Sequence, residues 1–137
     1  MQKSIAIQMD NIELIDYNFD TSFLIAYEAQ LRNYKIFYYN PSDLIIKNGN
    51  VQATGYYLKL NLDQNDYFKY ISDKIILDLK NFNFVFLRQD PPFDMSYLTN
   101  CYLLELHKIF NKNPLFVNDP SGIKNFTEKI FPLYFHK

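Results

Sequence analysis

The sequence predicts an α/β fold with one open, mainly parallel β-sheet that is flanked by helices and carries a β-hairpin insertion. Short apolar runs alternate along the chain with segments of helical periodicity, a pattern typical of α/β proteins. The first three elements form a β-α-β unit, which predicts parallel strands joined by a right-handed crossover. With 137 residues, of which 48% are hydrophobic, the chain suits a single domain with one core.

The β-α-β unit opens the chain. We predict a buried strand at Ser4–Met9, because the segment SIAIQM is short and mainly apolar. A helix follows that either Asp20 or Thr21 caps, since their side-chain oxygens can accept hydrogen bonds from free backbone N–H groups. The second strand is Lys35–Tyr39. Four residues at helical spacing mark the inward face of the helix: Phe23, Tyr27, Leu31 and Tyr34.

The middle of the chain predicts a β-hairpin. Leu44–Lys47 and the segment from Val51 flank the dipeptide Asn48-Gly49, which favours a tight hairpin turn. Beyond the hairpin, we predict one further strand near residues 56–62 and a short helix near residues 66–71.

The last third of the chain predicts two more strands and two more helices. We expect a core strand at 82–87, a helix at Met95–Phe110, a short strand at 114–117 and a mostly helical segment at 121–131. Helical periodicity in the first of these helices predicts four inward side chains: Leu98, Tyr102, Leu106 and Ile109.

Polar side chains follow three of the predicted strands at their carboxyl ends. They are Asp10, the pair Arg88 and Asp90, and the pair Asn118 and Asp119. Because ligands of open α/β sheets bind beyond the carboxyl ends of the strands, we expect these residues to meet at one crevice.

The segment LRQDPPFD combines an arginine with a restricted loop. Arg88 at the end of the strand is either solvated or directed at a carboxylate or phosphate. Pro91 and Pro92 restrict the backbone, which favours a rigid site geometry. Asp94 precedes the predicted helix, where it either caps that helix or belongs to the site.

The composition excludes several classes of function. A net charge of -1 with scattered lysines and arginines argues against nucleic acids and anionic membranes as partners. The 3 glycines form no phosphate-binding motif, and His107 and His136 lie too far apart to indicate a metal site. Cys101 is the single cysteine, which we interpret as a core residue rather than a nucleophile. One cysteine and a short first apolar run lead us to expect a cytoplasmic protein.

The segment LRQDPPFDMSYL resembles the MRKDPPFD element of bacterial glutathione synthetases. Other segments of the chain are similar to that family in the same order: IAIQMD, DTSFLIAYEAQLRNY, YYNPSDL, CYLLE and FVNDPSGIKNFTEKIF. The resemblance runs nearly end to end. It implies that residues 1–137 are the single N-terminal, Rossmann-like pre-ATP-grasp domain, and that an ATP-grasp region would start near Lys137.

The resemblance also implies a reaction. Glutathione synthetases join γ-glutamylcysteine to glycine with ATP cleavage, through an acyl phosphate that the glycine amine attacks. It implies ATP and Mg²⁺ as cofactors, bound mainly by the ATP-grasp region, and no activity for this chain alone. The implied partners are the two substrates, the ATP-grasp domain and further copies in a homo-oligomer, with no nucleic acid and no membrane.

Site roles follow from the same resemblance. Arg88 matches the strand-end arginine that faces the active-site cleft, which implies a catalytic role on a carboxylate or phosphoryl oxygen. Lys129, which helical position alone would leave solvated, matches a lysine that contacts ATP. The resemblance assigns the shaping of the loop that aims the arginine to four residues: Asp90, Pro91, Pro92 and Asp94.

Four further positions match residues that border the cleft, which implies a substrate-binding role for Asp10, Asp20, Thr21 and Ser22. The chain also departs from the family at three positions. Gln89 and Asp119 stand where lysine is common, and Asn11 replaces a common proline. The changes at Gln89 and Asp119 alter the charge beside the cleft, and all three are compatible with the same activity.

Two alternative interpretations remain. The chain can be a stand-alone α/β module for binding or assembly, or the N-terminal domain of a different ATP-grasp ligase. Leu133, Tyr134 and Phe135 either pack onto the domain or contribute to an apolar surface that another region covers.

Overall fold

The computed structural model describes residues 3–126 and 130–135. Its strands are β1 (Ser4–Met9), β2 (Lys35–Tyr39), β3 (Leu44–Lys47), β4 (Asn50–Leu60), β5 (Phe68–Tyr70), β6 (Ile75–Asp78), β7 (Phe84–Arg88) and β8 (Leu115–Val117). Its α-helices are α1 (Thr21–Leu31), α2 (Met95–Phe110) and α3 (Pro120–Asn125). The predicted α/β class is confirmed, because these elements form one curled sheet of 8 strands flanked by helices.

The sheet has a parallel half, as the β-α-β unit predicts. Its order is β3-β4-β2-β1-β7-β8, and β1 pairs in parallel with both β2 and β7. Met9 lies in register with Arg88, and β8 pairs in parallel with β7. The carboxyl ends of β1, β7 and β8 therefore meet at one edge, where the polar residues expected at the crevice follow.

The other half of the sheet is antiparallel and is organised by β4, which pairs with β2, β3, β5 and β6. The predicted hairpin is confirmed, with Asn48 and Gly49 at positive φ in the turn between β3 and β4. The strand predicted near residues 56–62 is the continuation of the same hairpin strand. Gly55 is required there, because a Cβ would clash with the carbonyl oxygen of Tyr38 on β2.

The short helix predicted at residues 66–71 is wrong. Residues Phe68–Tyr70 form β5 instead, with Tyr70 in register with Leu58. Aromatic residues favour strands, and here Tyr67 stacks on Tyr17 at a ring-centroid distance of 5.4 Å. Tertiary contacts of the aromatic rings thus override a weak local helical preference.

The two faces of the sheet bury separate cores, as alternation along the strands requires. The α1 face includes Ile5, Ile7, Phe23 and Ile36. The α2 face is formed largely by these residues: Ala6, Phe37, Tyr39, Val85, Leu87 and Leu104. On α1, Phe23 is buried as predicted and Tyr27 is half-buried, whereas Leu31 is exposed.

The inward face predicted for α2 is wrong for most of its members. Leu98 is half-buried, but Tyr102 is 53% exposed and Ile109 is 74% exposed, and Leu106 is exposed as well. The residues buried on this helix are Asn100, Cys101, Leu104 and His107.

The physical reason lies in two buried polar side chains. Asn100 Nδ2 donates to the carbonyl oxygen of Pro41 at 3.0 Å, and His107 Nε2 is hydrogen-bonded to the carbonyl of Asn113 at 3.0 Å. Because these groups have partners, they can be buried at little cost. A hydrophobic pattern does not mark them, so it selects the opposite side of the helix.

The remaining predictions hold with shifted limits. The core strand predicted at 82–87 is β7, and the strand predicted at 114–117 is β8. Of the segment predicted as mostly helical, α3 ends at Asn125, and residues Phe131–Phe135 form a 3-10 turn. In the part of the chain that the structure describes, no helix has the length and apolar character to cross a membrane.

Candidate functional site

Arg88 ends β7 and reaches across the sheet edge to the first turn of α1. Its Nε donates to Ser22 Oγ at 3.0 Å, and its Nη2 donates to Thr21 Oγ1 at 2.6 Å. The guanidinium group has five N–H donors in a planar fork. Within residues 3–126 and 130–135 the other donors have no hydrogen-bond partner, so they remain available for an anionic ligand.

Asp20 is the N-cap of α1. Its Oδ1 accepts a hydrogen bond from the backbone N–H of Phe23 at 2.8 Å, which decides between the two cap candidates. The positive end of the helix macrodipole therefore lies next to the Arg88 guanidinium. Two like charges at one point favour a bound anion, which would relieve their mutual repulsion.

The loop after β7, residues 90–94, is called the DPPFD loop here. Its first backbone N–H, from Asp90, donates to Asp10 Oδ2 at 2.7 Å. At its other end Asp94 caps α2, with Oδ1 accepting from the N–H of Tyr97 at 2.9 Å. Both ends of the loop are thus held by carboxylates, one that directly follows β1 and one in the loop itself.

An open cleft of about 1060 Å³ lies between the DPPFD loop, the first turns of α2, and α3. Arg88, Asp90, Asn118 and Asp119 line it, so residues that follow β7 and β8 do converge. Asp10 does not line this cleft. It adjoins the cleft through its bond to Asp90, just as Thr21 and Ser22 adjoin it through Arg88.

The far wall of the cleft is α3, which two ion pairs hold against α2. Lys124 Nζ lies 2.6 Å from Glu105 Oε2, and this bond lowers the pKa of Glu105. Lys108 pairs with Asp119 and lowers the pKa of that carboxyl. Asp119 also caps α3 by accepting from the N–H of Ser121 at 2.9 Å. The carboxylate is therefore engaged and adds little free negative charge to the cleft.

Comparison with known proteins identifies the family. The model of the prokaryotic glutathione synthetase N-terminal domain matches residues 4–124. The chain belongs to this family.

Curated relatives named glutathione synthetase agree with that result. The protein of Agrobacterium fabrum is 42% identical over 129 residues, which cover 94% of this chain and 39% of the relative. The protein of Mesorhizobium japonicum is 39% identical over 131 residues, covering 96% of this chain and 41% of the relative. That of Buchnera aphidicola is 36% identical over 133 residues, covering 97% and 41%. The chain thus spans about two fifths of the length of these relatives.

Tyr97 and Gln89 line the cleft, but no pattern in the sequence marks either of them as a site residue. Tyr97 donates its hydroxyl to the carbonyl oxygen of Gln89 at 3.4 Å, and burial raises the pKa of Tyr97, so the hydroxyl stays protonated. Gln89 Oε1 in turn accepts from Nε2 of Gln8, which is buried, at 3.1 Å. The sequence marks Gln89 only as a departure from the family, and Tyr97 only as a member of a helix.

Cys101 is buried in the core, as the sequence interpretation expects. Burial raises the pKa of Cys101 to about 11, and nearby Glu105 adds to the shift, so the thiol is protonated at neutral pH. Lys129, predicted to contact ATP, lies outside the described residues. Over residues 3–126 and 130–135, no three His, Cys, Asp or Glu side chains lie close enough together to hold a metal ion.

Proposed function

We propose that this chain is the N-terminal, substrate-side domain of a glutathione synthetase, the ATP-dependent ligase that joins γ-glutamylcysteine to glycine. The observation that carries the proposal is the Arg88 guanidinium, which Thr21 and Ser22 hold at the carboxyl edge of the sheet. The family membership supports the reaction class. The chain alone is expected to be inactive, because the ATP-grasp half would supply most ligands of the nucleotide.

The chemistry explains why a fixed cation is needed. A carboxylate is a poor electrophile, and phosphorylation of the dipeptide carboxylate gives an acyl phosphate with a good leaving group. The amine of glycine then attacks the carbonyl carbon, and phosphate leaves. Negative charge develops on phosphoryl and carbonyl oxygens, and a preorganised guanidinium such as that of Arg88 stabilises it.

The neighbouring residues are proposed to act through Arg88 and the loop. Thr21 and Ser22 fix the plane of the guanidinium, so that its free N–H groups face the ligand. Asp20 holds the start of α1. Asp10 fixes the DPPFD loop through the N–H of Asp90. The sequence predicts that these four residues contact the substrate directly. We propose instead that they position Arg88 and the loop.

The nucleotide and the metal belong to the same proposal. Bound Mg²⁺ would offset charge on the phosphate oxygens of ATP. Because the described residues include no group of three metal-binding side chains, we propose that its ligands come from the ATP-grasp region. Lys129 is proposed to contact ATP from this side. A cytoplasmic location is proposed from the single buried thiol, which suits a reducing compartment.

The carboxyl-terminal aromatic residues support an ATP-grasp partner. Leu133, Tyr134 and Phe135 are exposed, with Tyr134 at 80%, so the interpretation that they pack onto the domain is wrong. Ile130, just before them, lines the cleft. We propose that the ATP-grasp domain covers this apolar surface and closes the cleft at the same time.

The test is a substrate panel with the protein that joins this chain to its ATP-grasp region. ADP release is measured with γ-glutamylcysteine and glycine, and with other dipeptides and amines at equal concentration. A preference for γ-glutamylcysteine and glycine supports the proposal. Turnover of a different acid in place of γ-glutamylcysteine identifies another ATP-grasp ligase. The absence of any ATP-dependent turnover, in a protein that binds ATP, favours a binding or assembly module.

A further inference from the structure

Gln8 is a polar side chain in the apolar interior of the domain. It is 2% exposed, and alternation along β1 places it on the same face of the sheet as Ala6, the α2 face. Among the described residues, its Oε1 has no hydrogen-bond partner. Such an oxygen lowers stability, because it has lost its bonds to water and gains none in the fold. Its presence therefore calls for an explanation other than stability.

The partner of the Gln8 amide nitrogen points to that explanation. Nε2 donates to Oε1 of Gln89 at 3.1 Å, across a separation of 81 positions in the sequence. Gln89 lies directly between Arg88 and the DPPFD loop. Its carbonyl oxygen also accepts from the hydroxyl of Tyr97 on α2, at 3.4 Å. Gln89 is thus held at its side chain and at its backbone, in both cases from the α2 face.

Arg88 is held from the opposite face of the sheet. Successive side chains of a strand point to opposite faces, and Leu87 belongs to the core on the α2 face. Arg88 therefore leaves the sheet on the other face, where it donates to the first turn of α1. The next side chain, Gln89, returns to the α2 face and meets Gln8. The end of β7 is thus held on both faces by consecutive residues.

We propose that Gln8 is a positioning residue for Arg88 and acts through Gln89. The inference rests on the proposed function, in which a fixed guanidinium stabilises charge on the reacting oxygens. With the Gln89 side chain held on the α2 face, the end of β7 keeps one twist, and Arg88 keeps the direction from which it reaches α1. Without that bond the strand end can turn, and the free N–H groups of the guanidinium lose their fixed aim.

The bond made by Asp10 does not replace this one. Its carboxylate accepts from the backbone N–H of Asp90 at 2.7 Å, so it holds the start of the DPPFD loop. Gln8 instead holds the residue directly after the arginine. Loss of the Gln8 amide should therefore affect the arginine even while the bond between Asp10 and Asp90 remains.

The kinetic test removes the bond with little change of side-chain volume. Gln8→Met introduces an unbranched side chain of similar size and leaves no unpaired amide oxygen at this position. We expect the urea midpoint of the variant to equal or exceed that of the wild type, while kcat of the complete enzyme falls about tenfold. A lowered midpoint with an unchanged kcat would show that Gln8 is structural only.

An NMR measurement on the 137-residue chain tests the position of the guanidinium directly. The Nε–H of Arg88, which donates to Ser22 Oγ, is assigned by the loss of its signal in Arg88→Lys. We expect its exchange with water to be about fivefold faster or more in Gln8→Met, because a loosened strand end opens this bond more often. Unchanged exchange would overturn the proposal. The measurement needs no substrate, so failure of the proposed reaction leaves its result valid.

A second variant breaks the same bond from its other end. Gln89 is half-buried, and Gln89→Met should speed the exchange of the Arg88 Nε–H in the same way. Adding Gln8→Met to Gln89→Met should have no further effect, since both changes act through one bond. Additive effects of the two substitutions on the exchange rate would contradict this coupling.

The matched control is Gln52→Met. Gln52 is a half-buried glutamine on β4, and no hydrogen bond of its side chain is found within the described ranges, 3–126 and 130–135. The control should leave both the exchange rate and kcat within about twofold of wild type. Equal effects of Gln8→Met and Gln52→Met would contradict a positioning role for Gln8.

Discussion

The backbone N–H of Asp90 donates to the carboxylate of Asp10 at 2.7 Å, although the two residues are 80 positions apart in the sequence. This bond ties the end of β1 to the start of the DPPFD loop. Arg88 ends β7, next to the end of β1, and makes its own bonds to α1. The position of the cationic group therefore depends on contacts from three separate segments of the chain.

Removal of the Asp10 carboxylate should loosen the DPPFD loop. The variant Asp10→Ala is expected to lower the free energy of unfolding by about 1 kcal/mol, since the lost bond joins a charged acceptor to an exposed donor. Urea unfolding measures the change. Asp73→Ala serves as the control, because that side chain makes no hydrogen bond among the described residues and should leave stability within about 0.5 kcal/mol of wild type. Equal losses for the two variants would show that the loop bond contributes nothing.

Arg88→Ala should impair catalysis in the complete enzyme without unfolding the domain. Loss of a preorganised cation is expected to reduce kcat by about 100-fold or more. Steady-state ADP release with γ-glutamylcysteine and glycine measures the effect. Arg32→Ala is the control, because Arg32 lies on the surface and, among the described residues, pairs only with the exposed Glu28. Normal kinetics in a folded Arg88→Ala enzyme would reduce Arg88 to a structural residue.

Tyr39 and Tyr38 should respond in opposite ways to loss of the hydroxyl group. The Tyr39 hydroxyl is buried without a partner among the described residues, so Tyr39→Phe should raise the free energy of unfolding by about 1 kcal/mol. The Tyr38 hydroxyl accepts from the N–H of Ile12 and donates to the carbonyl of Asp10, each at 3.4 Å. Tyr38→Phe should therefore destabilise the chain by about 1 kcal/mol. Denaturant unfolding measures the stability of both variants. Destabilisation by Tyr39→Phe would contradict the inference that the Tyr39 hydroxyl is buried without a partner.

The attachment of α3 should weaken in acid. Lys124 lowers the pKa of Glu105 from its ordinary value of 4.5, so the folded protein binds this proton less readily than the unfolded chain does. The resulting stability is present above the ordinary pKa and is lost as pH falls through the lowered one. Unfolding free energies measured from about pH 6 to about pH 3 should thus fall less steeply for Glu105→Gln than for wild type.

Short stretches of the sequence predict most of the fold, because strand, helix and turn preferences depend mainly on neighbouring residues. The first strand, the capped helix and the second strand each follow from a short stretch of sequence, as does the Asn48-Gly49 hairpin. The wrong predictions fall where distant partners decide. Within the segment predicted as a short helix, Phe68–Tyr70 form a strand because they pair with β4. The buried side of α2 differs from the predicted one because Asn100 and His107 find buried hydrogen-bond partners.

Part of the candidate site is likewise evident from one short segment, and part depends on contacts between distant segments. Arg88, Asp90 and the two prolines stand together in one segment, so their proximity is evident from the sequence, and the same segment carries the family resemblance. The bonds of Arg88 to Thr21 and Ser22 span more than 60 positions, and no local pattern encodes them. The same is true of the contact between Gln8 and Gln89.

The sequence by itself determined the α/β class, the family and the identity of the strand-end arginine. These depend on residue type and spacing, which are properties of short segments. Only the tertiary structure decided which groups hold that arginine, which side of α2 faces solvent, and where the cleft lies. Each of these depends on side chains that are far apart in the chain and meet only when the sheet has formed.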